Sequence, residues 1–510
     1  MHARTQTGRR IGVLARITAV IAAATLTLTA CGAGGSKSEG GNKDAVTVGL
    51  TAAPANLDFT TTSGAAIPQA LMTNVYEGLV TVNQEGELEP LLAESWDISK
   101  DRTEYTFHLR EGVRFSNGTE FNAETAKFSI ERVKSKAWKN GLKAGMDVVK
   151  KVEAIDKKTL KVTLKQPSQA WLWDMATLIG AQFAPDAVDK LATEPVGTGP
   201  FTVTKWDNGR TLTLEARDDY WGEKPASKKI TLRYFADATT AANALKTGSV
   251  DAIPAFQAPE LIPSYEKNPK FTVQRGTTTG KVMLAMNNKK PPFNKLAARK
   301  AIMYGIDRKA VIESAWGGYG DLLGAPVVPT DPYFEDLSGE YPYDPDKAAK
   351  LVEEAGIKGE TVTIATPSLP YATAAAQVIV SDLKKIGLNA KIEQQEFPAV
   401  WLDKTYTKGN YTLSVIAHVE PKDLLNLVRG DYYFGYDDSR IAELRASADA
   451  GDDKEYVRDM KKLVRRAFVE DAAANTLFLM AGITVMAEDI EGMPKNTPTT
   501  ALDLTKVRHR

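Results

Sequence analysis

The chain has 510 residues, with 64 basic and 64 acidic side chains, 43% hydrophobic residues and one cysteine. That length supports more than one hydrophobic core. Balanced charge leaves no basic footprint for nucleic acid, and a single cysteine excludes an intramolecular disulfide.

The N-terminus opens with Arg4, Arg9, Arg10 and Arg16, and no acid occurs before Glu39. Residues 17–30, ITAVIAAATLTLTA, then run apolar. A basic region followed by such a stretch is the pattern of a secretory signal. As a helix it would reach about 21 Å, short of the ~30 Å needed to span a membrane. Arg9-Arg10 raises a twin-arginine signal, but Ile11-Gly12-Val13 fits its hydrophobic positions poorly, so the general secretion route is expected. Leu28-Thr29-Ala30-Cys31 resembles the bacterial lipobox, in which the signal is cut before a cysteine whose sulfur receives a diacylglyceride. Cleavage there leaves 60 basic and 64 acidic residues. Residues 32–43 are rich in glycine and polar side chains and cannot bury enough apolar surface to order themselves. The expected layout is a signal at 1–30, a flexible lipid-anchored linker at 31–43, and a folded body beyond.

Within the body, residues 46–50 read as a strand and 71–79 as a helix. From Tyr105 the pattern alternates, with Tyr105, Phe107 and Leu109 on one face. Asn122 is a candidate N-cap for a helix carrying Ala126, Ile130 and Val133 on one side. Hairpins are predicted around Asp156-Lys157-Lys158 and around Asp207-Asn208-Gly209. After about residue 280 helices become more frequent: 296–304, 308–315, 344–355, 371–386 and 454–468. Strands at 362–365 and 390–393 flank the 371–386 helix, with Gly387 where its cap belongs. That strand–helix–strand run demands a parallel pair. No internal repeat and no proline- or glycine-rich central linker is evident, which suggests two lobes with shared connections.

Several ordered blocks resemble one family. They are LAESWD (92–97), TEYTFHLREGVRFSNGTEFNAETAKFSIERV (103–133), GTGPF (197–201), DYWG (219–222) with ITLRY (230–234), NNKKPPF (287–293) with ARKAIMYGIDR (298–308), and YDPDKAAKLVEEAG (343–356). The chain is thereby similar, over about residues 45–500, to family 5 extracytoplasmic solute-binding proteins, the receptors of peptide- and nickel-type ABC importers. The resemblance implies an α/β, two-lobed periplasmic-binding-protein fold of type II, with an inserted subdomain and hinge strands. On that pattern lobe I comprises 44–70, 196–282 and 475–510, with its insert at 71–195, and lobe II comprises 283–474. Hinges are expected near 284–287 and 475–478. The implied function is a lipid-anchored extracytoplasmic receptor, monomeric, that closes around a peptide or related small solute. It hands that solute to an ABC permease driven by ATPase subunits. A nickel-chelate or oligosaccharide receptor, or a ligand sensor without transport, is the alternative.

Peptide-binding members carry a tryptophan and then an aspartate in lobe II that pairs with the peptide's amino group. The matching stretch here is SVIAHVEPKD (414–423), with His418 at the tryptophan position and Glu420 or Asp423 as candidate carboxylates. His418 reads either as a ligand contact or as a hydrogen-bonded residue of the cleft wall. Three histidines after the signal are too few for an N/S metal site, and no metal or cofactor is expected. Trp401 and Tyr433, with Tyr432 and Tyr436 nearby, are candidate aromatic walls. Asn56, Asp58 and Phe59 follow the first strand, where cleft loops emerge. No GxSxG or HExxH occurs, and the one thiol is expected to be lipidated, so no enzyme is expected.

Overall fold

The computed structural model describes residues 43–510. The signal, Cys31 and nearly all of the linker lie outside the described residues. No helix among those described is long and apolar enough to cross a membrane.

Two main sheets organise the body. The first has seven strands, in the order Phe271–Gly276, Gly482–Ala487, Ala252–Ile253, Ala45–Leu50, Lys229–Tyr234, Thr211–Ala216 and Phe201–Asp207. The second has six, in the order Gly320–Asp321, Ala474–Met480, Lys281–Met286, Leu413–His418, Thr361–Pro367 and Asn389–Gln395. Every residue of Lys281–Met286 is buried. Val282, Leu284 and Met286 enter one core of the second lobe, and Met283 and Ala285 enter the other. A sheet covered on both faces needs such a continuous apolar run, and Lys281 is its one exception.

Most local signals act as expected. Thr361–Pro367 and Asn389–Gln395 pair in parallel, joined by helix Pro370–Lys385. Asn122 Oδ1 accepts from the backbone N–H groups of Glu124 and Thr125 at 3.0 and 3.2 Å, capping helix Ala123–Lys134. The hairpins form as strands Val149–Asp156 with Thr159–Leu164, and Phe201–Asp207 with Thr211–Ala216. The former pair joins Ala93–Ile98 and Glu104–Leu109 in a four-stranded sheet inside residues 71–195. Its apolar face and that of the first sheet share one core, so the insert is packed onto the first lobe.

The helix expected at 71–79 is displaced. The helix there is Ala66–Leu71, and the chain turns immediately after it. Thr73 adopts a left-handed backbone at φ 65°, and Asn74 Nδ2 donates to Ala70 O and Leu502 O. The amide thus takes a carbonyl that a continuing helix would have used.

The lobes exchange chain twice, at residues 277–280 and at 481, between Met480 and Gly482. Positions 284–287 and 475–478, expected as hinges, lie in or directly beside strands of the second sheet instead. The two passages run side by side. Gly276 is registered against Gly482, and Lys281 against Leu479. Thr278 Oγ1 donates to Met480 O at 2.8 Å and accepts from Gly280 N at 3.0 Å. The C-terminal segment packs on the first passage as well: a Cβ on Gly276 would stand 1.7 Å from Lys495 O.

Candidate functional site

Register builds the site. Strand Leu413–His418 runs antiparallel to Lys281–Met286, and Lys281 faces His418 across the pair. Beyond His418 the chain leaves the sheet through Val419, Glu420 and Pro421. It then turns at Lys422, which holds a left-handed φ of 48°. A non-glycine residue held there signals a locally over-determined loop. The crossing segment supplies the restraint. Thr279 Oγ1 donates to Val419 O at 2.5 Å, and Lys281 Nζ donates to Glu420 O at 3.0 Å and to Asp423 Oδ1 at 2.8 Å.

The side chains of Lys281 and Asp423 are only 2% and 6% exposed. Asp423 Oδ2 is buried too and has no hydrogen-bond partner among the described residues. Burial pushes the Asp423 carboxyl up to about 6, opposed by Lys281 and reinforced by Glu420 and Asp331. A desolvated acceptor with nothing to accept from is costly and is uncommon in folded proteins.

His418 sits on an aromatic bed. Its Nε2 lies 3.0 Å from the Tyr433 hydroxyl and its Nδ1 3.2 Å from the Tyr432 hydroxyl. Burial, with Lys281 as a second cause, holds the imidazole down at about 3, so it is neutral near pH 7. A neutral ring has one donor and one acceptor nitrogen, so one tyrosine donates to it and the other accepts. Trp401 meets Tyr433 edge-on at 5.8 Å, and its Nε1 donates to Ser414 Oγ at 3.1 Å. Tyr406, on the π-helix Leu402–Thr407, stands 5.7 Å from Tyr432 and is 41% exposed. Val419, next in the chain to His418, is 45% exposed.

The first lobe closes on the same loop. Lys422 Nζ lies 4.6 Å from the Trp173 ring, presented by helix Gln169–Asp174 of the insert. Burial lowers the Lys422 ammonium to about 8, opposed by Asp331 of the second lobe and Asp174 of the insert. Burial raises Asp174 to about 7. Flanking contacts also join the lobes. Gln169 Nε2 donates to Gly451 O at 2.7 Å, and Arg102 Nη2 reaches Asp453 at 3.3 Å. Gly86, at φ 86°, packs so tightly on Thr330 that a Cβ would stand 2.2 Å from its carbonyl oxygen.

The structure therefore brings His418, Glu420, Asp423, Trp401 and Tyr433 into one neighbourhood. Trp401 and Tyr433 are 3% and 7% exposed, so they back the wall more than they face solvent. Asn56, Asp58 and Phe59 form a separate group. Asn56 Oδ1 accepts from Asp58 N at 2.8 Å, and Asp58 accepts from Thr60 and Thr61. Phe59 is 2% exposed and meets Tyr76 edge-on at 5.3 Å in the first-lobe core. Its large apolar ring follows an exposed turn into the interior, and the two polar residues spend their bonds shaping that turn. Tyr436 is also interior, donating to Asp471 Oδ2 at 2.9 Å. The sequence reading missed Lys281, Lys422, Trp173, Asp174, Asp331 and Tyr406. Of these, only Lys281 left a signal: a lone charge heading the apolar run VMLAM.

His418, Glu420 and Asp423 offer ligand atoms within 4.8 Å of one another, the spacing of a metal trio. Both imidazole nitrogens are engaged by tyrosines, and Asp423 Oδ1 holds the Lys281 ammonium. These residues do not fit a metal ion without losing those bonds.

Comparison with known proteins places this geometry in context. The profile described as "Bacterial extracellular solute-binding proteins, family 5 Middle" matches residues 87–423. The chain is 33% identical over 336 residues to the glutathione-binding protein GsiB of Escherichia coli (strain K12), covering 64% of this chain and 65% of that one. Among solved structures it is similar to the binding protein AgaA of A. tumefaciens R10 in complex with agropinic acid. The TM-score is 0.77 at 26% identity, over 91% of this chain and 99% of that one. The binding protein DppA of Helicobacter pylori, in complex with peptide STSA, matches with TM-score 0.77 and 26% identity over 91% and 98%.

Two outcomes test the electrostatics. Lys281→Met strands a buried carboxylate and is expected to cost about 3–5 kcal/mol in urea unfolding. The double variant Lys281→Met/Asp423→Leu recovers most of that loss. His418 titrates lower folded than unfolded, so its contribution is full above about pH 6.5 and is lost as pH falls toward about 3. Stability measured from pH 7 to 4 should therefore show the advantage of wild type over His418→Gln shrinking, by at most about 1.4 kcal/mol per pH unit.

Proposed function

The chain belongs to the family 5 bacterial extracellular solute-binding proteins, and from that premise we propose that it is the solute receptor of an ABC importer. It captures a peptide or related small solute between its lobes and delivers it to a permease powered by a separate ATPase. The observation that carries this reading is Asp423 Oδ2, a buried acceptor without a partner, on a loop both lobes touch. A solute's ammonium group would complete it with a charge-assisted bond, the kind that survives desolvation. The match to proteins that hold glutathione, a peptide and agropinic acid supports a small polar solute.

Hinge bending at residues 277–280 and 481 would report occupancy. The solute would be sandwiched between Lys422 and Asp423 on one lobe and Trp173 on the other, and the resulting shape is what a permease can read. The chemistry is capture without turnover, consistent with the absence of any nucleophile–base pair in the motifs read from the sequence. Export through the signal at 1–30 and lipid on Cys31 would hold the receptor at the outer face of the cell membrane, as a monomer.

Gentle purification of the secreted chain, denaturation and mass spectrometry of what is released should yield a small solute at one per chain. Asp423→Asn should weaken its binding by about 10- to 100-fold with an unchanged circular dichroism spectrum, the worth of one hydrogen bond to a charged group. Release of no solute, or full affinity in the variant, counts against this reading. For the anchor, Cys31→Ala should move the chain from the membrane fraction to the soluble one. Retention in the membrane fraction would reject lipidation at that thiol.

A further inference from the structure

The insert also reaches the second lobe by a route that does not pass through the site loop. Arg102 lies in the turn before strand Glu104–Leu109, and its Nη2 donates to Gln169 Oε1 at 2.8 Å. With its oxygen so engaged, Gln169 donates from Nε2 to Gly451 O at 2.7 Å. Gly451 is buried and joins helices Ala442–Ala450 and Asp453–Val464 of the second lobe. Arg102 Nη2 also reaches Asp453 at 3.3 Å, but that carboxylate is exposed and such a pair adds little. The working part is the chain from guanidinium to amide to carbonyl, in which each bond polarises the next.

Three features separate this chain from an incidental surface contact. The Arg102 side chain is only 16% exposed, so its charge is held largely out of water even though Nε finds no partner. Its backbone is left-handed at φ 55°, a costly conformation for a non-glycine residue, held by the bond from Arg102 N to Ser99 O. Gln169 opens helix Gln169–Asp174, and Trp173 follows four residues later on the same face. One short helix therefore carries both the amide that holds Gly451 and the ring that stands 4.6 Å from Lys422 Nζ.

Placement decides what this contact can do. The sheet-bearing part of the first lobe meets the second beside the crossings. There the Arg275 guanidinium lies 4.5 Å from the Tyr319 ring, adjacent in the chain to Gly276 and to Gly320, which is registered against Met480. A contact of that kind persists as the crossings bend. The Arg102–Gln169–Gly451 chain instead joins the insert to helices that carry neither a crossing nor the site loop, so separating the lobes must break it.

Resting on the receptor reading above, we propose that Arg102 and Gln169 are positioning residues: they latch the insert onto the second lobe when the receptor closes and hold Trp173 over the site loop. The insert is then the closing jaw of the first lobe. A solute that binds only the closed form gains or loses affinity by the same factor as the latch equilibrium, whatever its chemistry.

The test counts closed and open molecules. With Cys31→Ala the chain holds no thiol, so Lys136→Cys in the insert and Glu443→Cys in the second lobe, both exposed, accept a donor and an acceptor dye. Single-molecule energy transfer is read on protein as purified and on protein stripped in urea and refolded. Gln169→Met removes both amide bonds. Gln169→Glu keeps an acceptor for Arg102 and sets a second acceptor against Gly451 O. In whichever preparation populates both states, each variant is expected to lower the closed-to-open ratio about 3- to 10-fold, the worth of one hydrogen bond. The urea midpoint of Gln169→Glu should stay at the wild-type value. A wild-type ratio in both variants would overturn the latch and leave the receptor reading standing. So would a wild-type ratio in Gln169→Glu alone, which would confine the role of Gln169 to the insert. A wild type with no closed population in either preparation would overturn both. If denaturation releases no solute, the receptor reading falls, while a lowered ratio in both variants still upholds the latch.

Discussion

The buried ion pair between Lys281 and Asp423 is the constraint on which the site depends. Lys281 heads the strand that carries the chain from the first sheet into the second, and Asp423 ends the loop leaving the neighbouring strand. Placing both charges out of water costs several kcal/mol per ion, and mutual attraction offsets this only when the remaining lone pairs are also bonded. Here they are not, because Asp423 Oδ2 stays open. A pair kept solely for stability would have been served as well by two apolar side chains. The incomplete bonding is what the proposed binding role of this pair would answer. Its influence extends to His418, whose neutrality follows from burial and from the Lys281 charge, and to the backbone of the loop through Glu420 O.

The same pair links the site to the passages between the lobes. Residues 277–280 bond to the second passage through Thr278 and to the site loop through Thr279, and Lys281 follows directly. The loop then reaches the other lobe through Lys422 and Trp173. A change in the angle at the crossings moves the anchors of the loop, and a group bound in the loop resists that change. On the proposed reading, binding and closure would then be one event by linkage, with no need for a separate relay.

Much of the architecture was legible because it is written locally. Asn122 caps a helix through its own side chain, paired turn residues close the hairpins, and Gly387 ends a helix inside a parallel strand–helix–strand unit. The second-lobe half of the site was legible as a segment, 414–423, since consecutive residues of one loop stay together. What escaped depends on residues far apart in sequence. Lys281 and Asp423 are separated by 142 positions, and Trp173 comes to Lys422 from an insert in the other lobe. No periodicity encodes such meetings. Phe59 shows the converse error: position after a strand suggested a cleft loop, but a large apolar ring flanked by polar turn residues obeys the hydrophobic effect and goes inward.

The division between scaffold and site explains how similar folds accompany different solutes. The opposition of Lys281 and His418 is set by backbone register in a doubly covered sheet, which side-chain changes at the loop do not disturb. The wall behind it, Trp401, Tyr411 and Tyr433, is buried and cross-bonded, with the Tyr411 hydroxyl donating to Tyr433 O at 2.7 Å. Beside that wall, Glu420, Asp423 Oδ2, Tyr406, Val419, Lys422 and Trp173 Nε1 are among the groups with capacity left to interact. Selectivity can therefore be rewritten at a handful of positions while the sheets, crossings and core remain as they are. The structures with agropinic acid and with a peptide match this chain equally in TM-score, which is what a shared scaffold with separately specified loops produces.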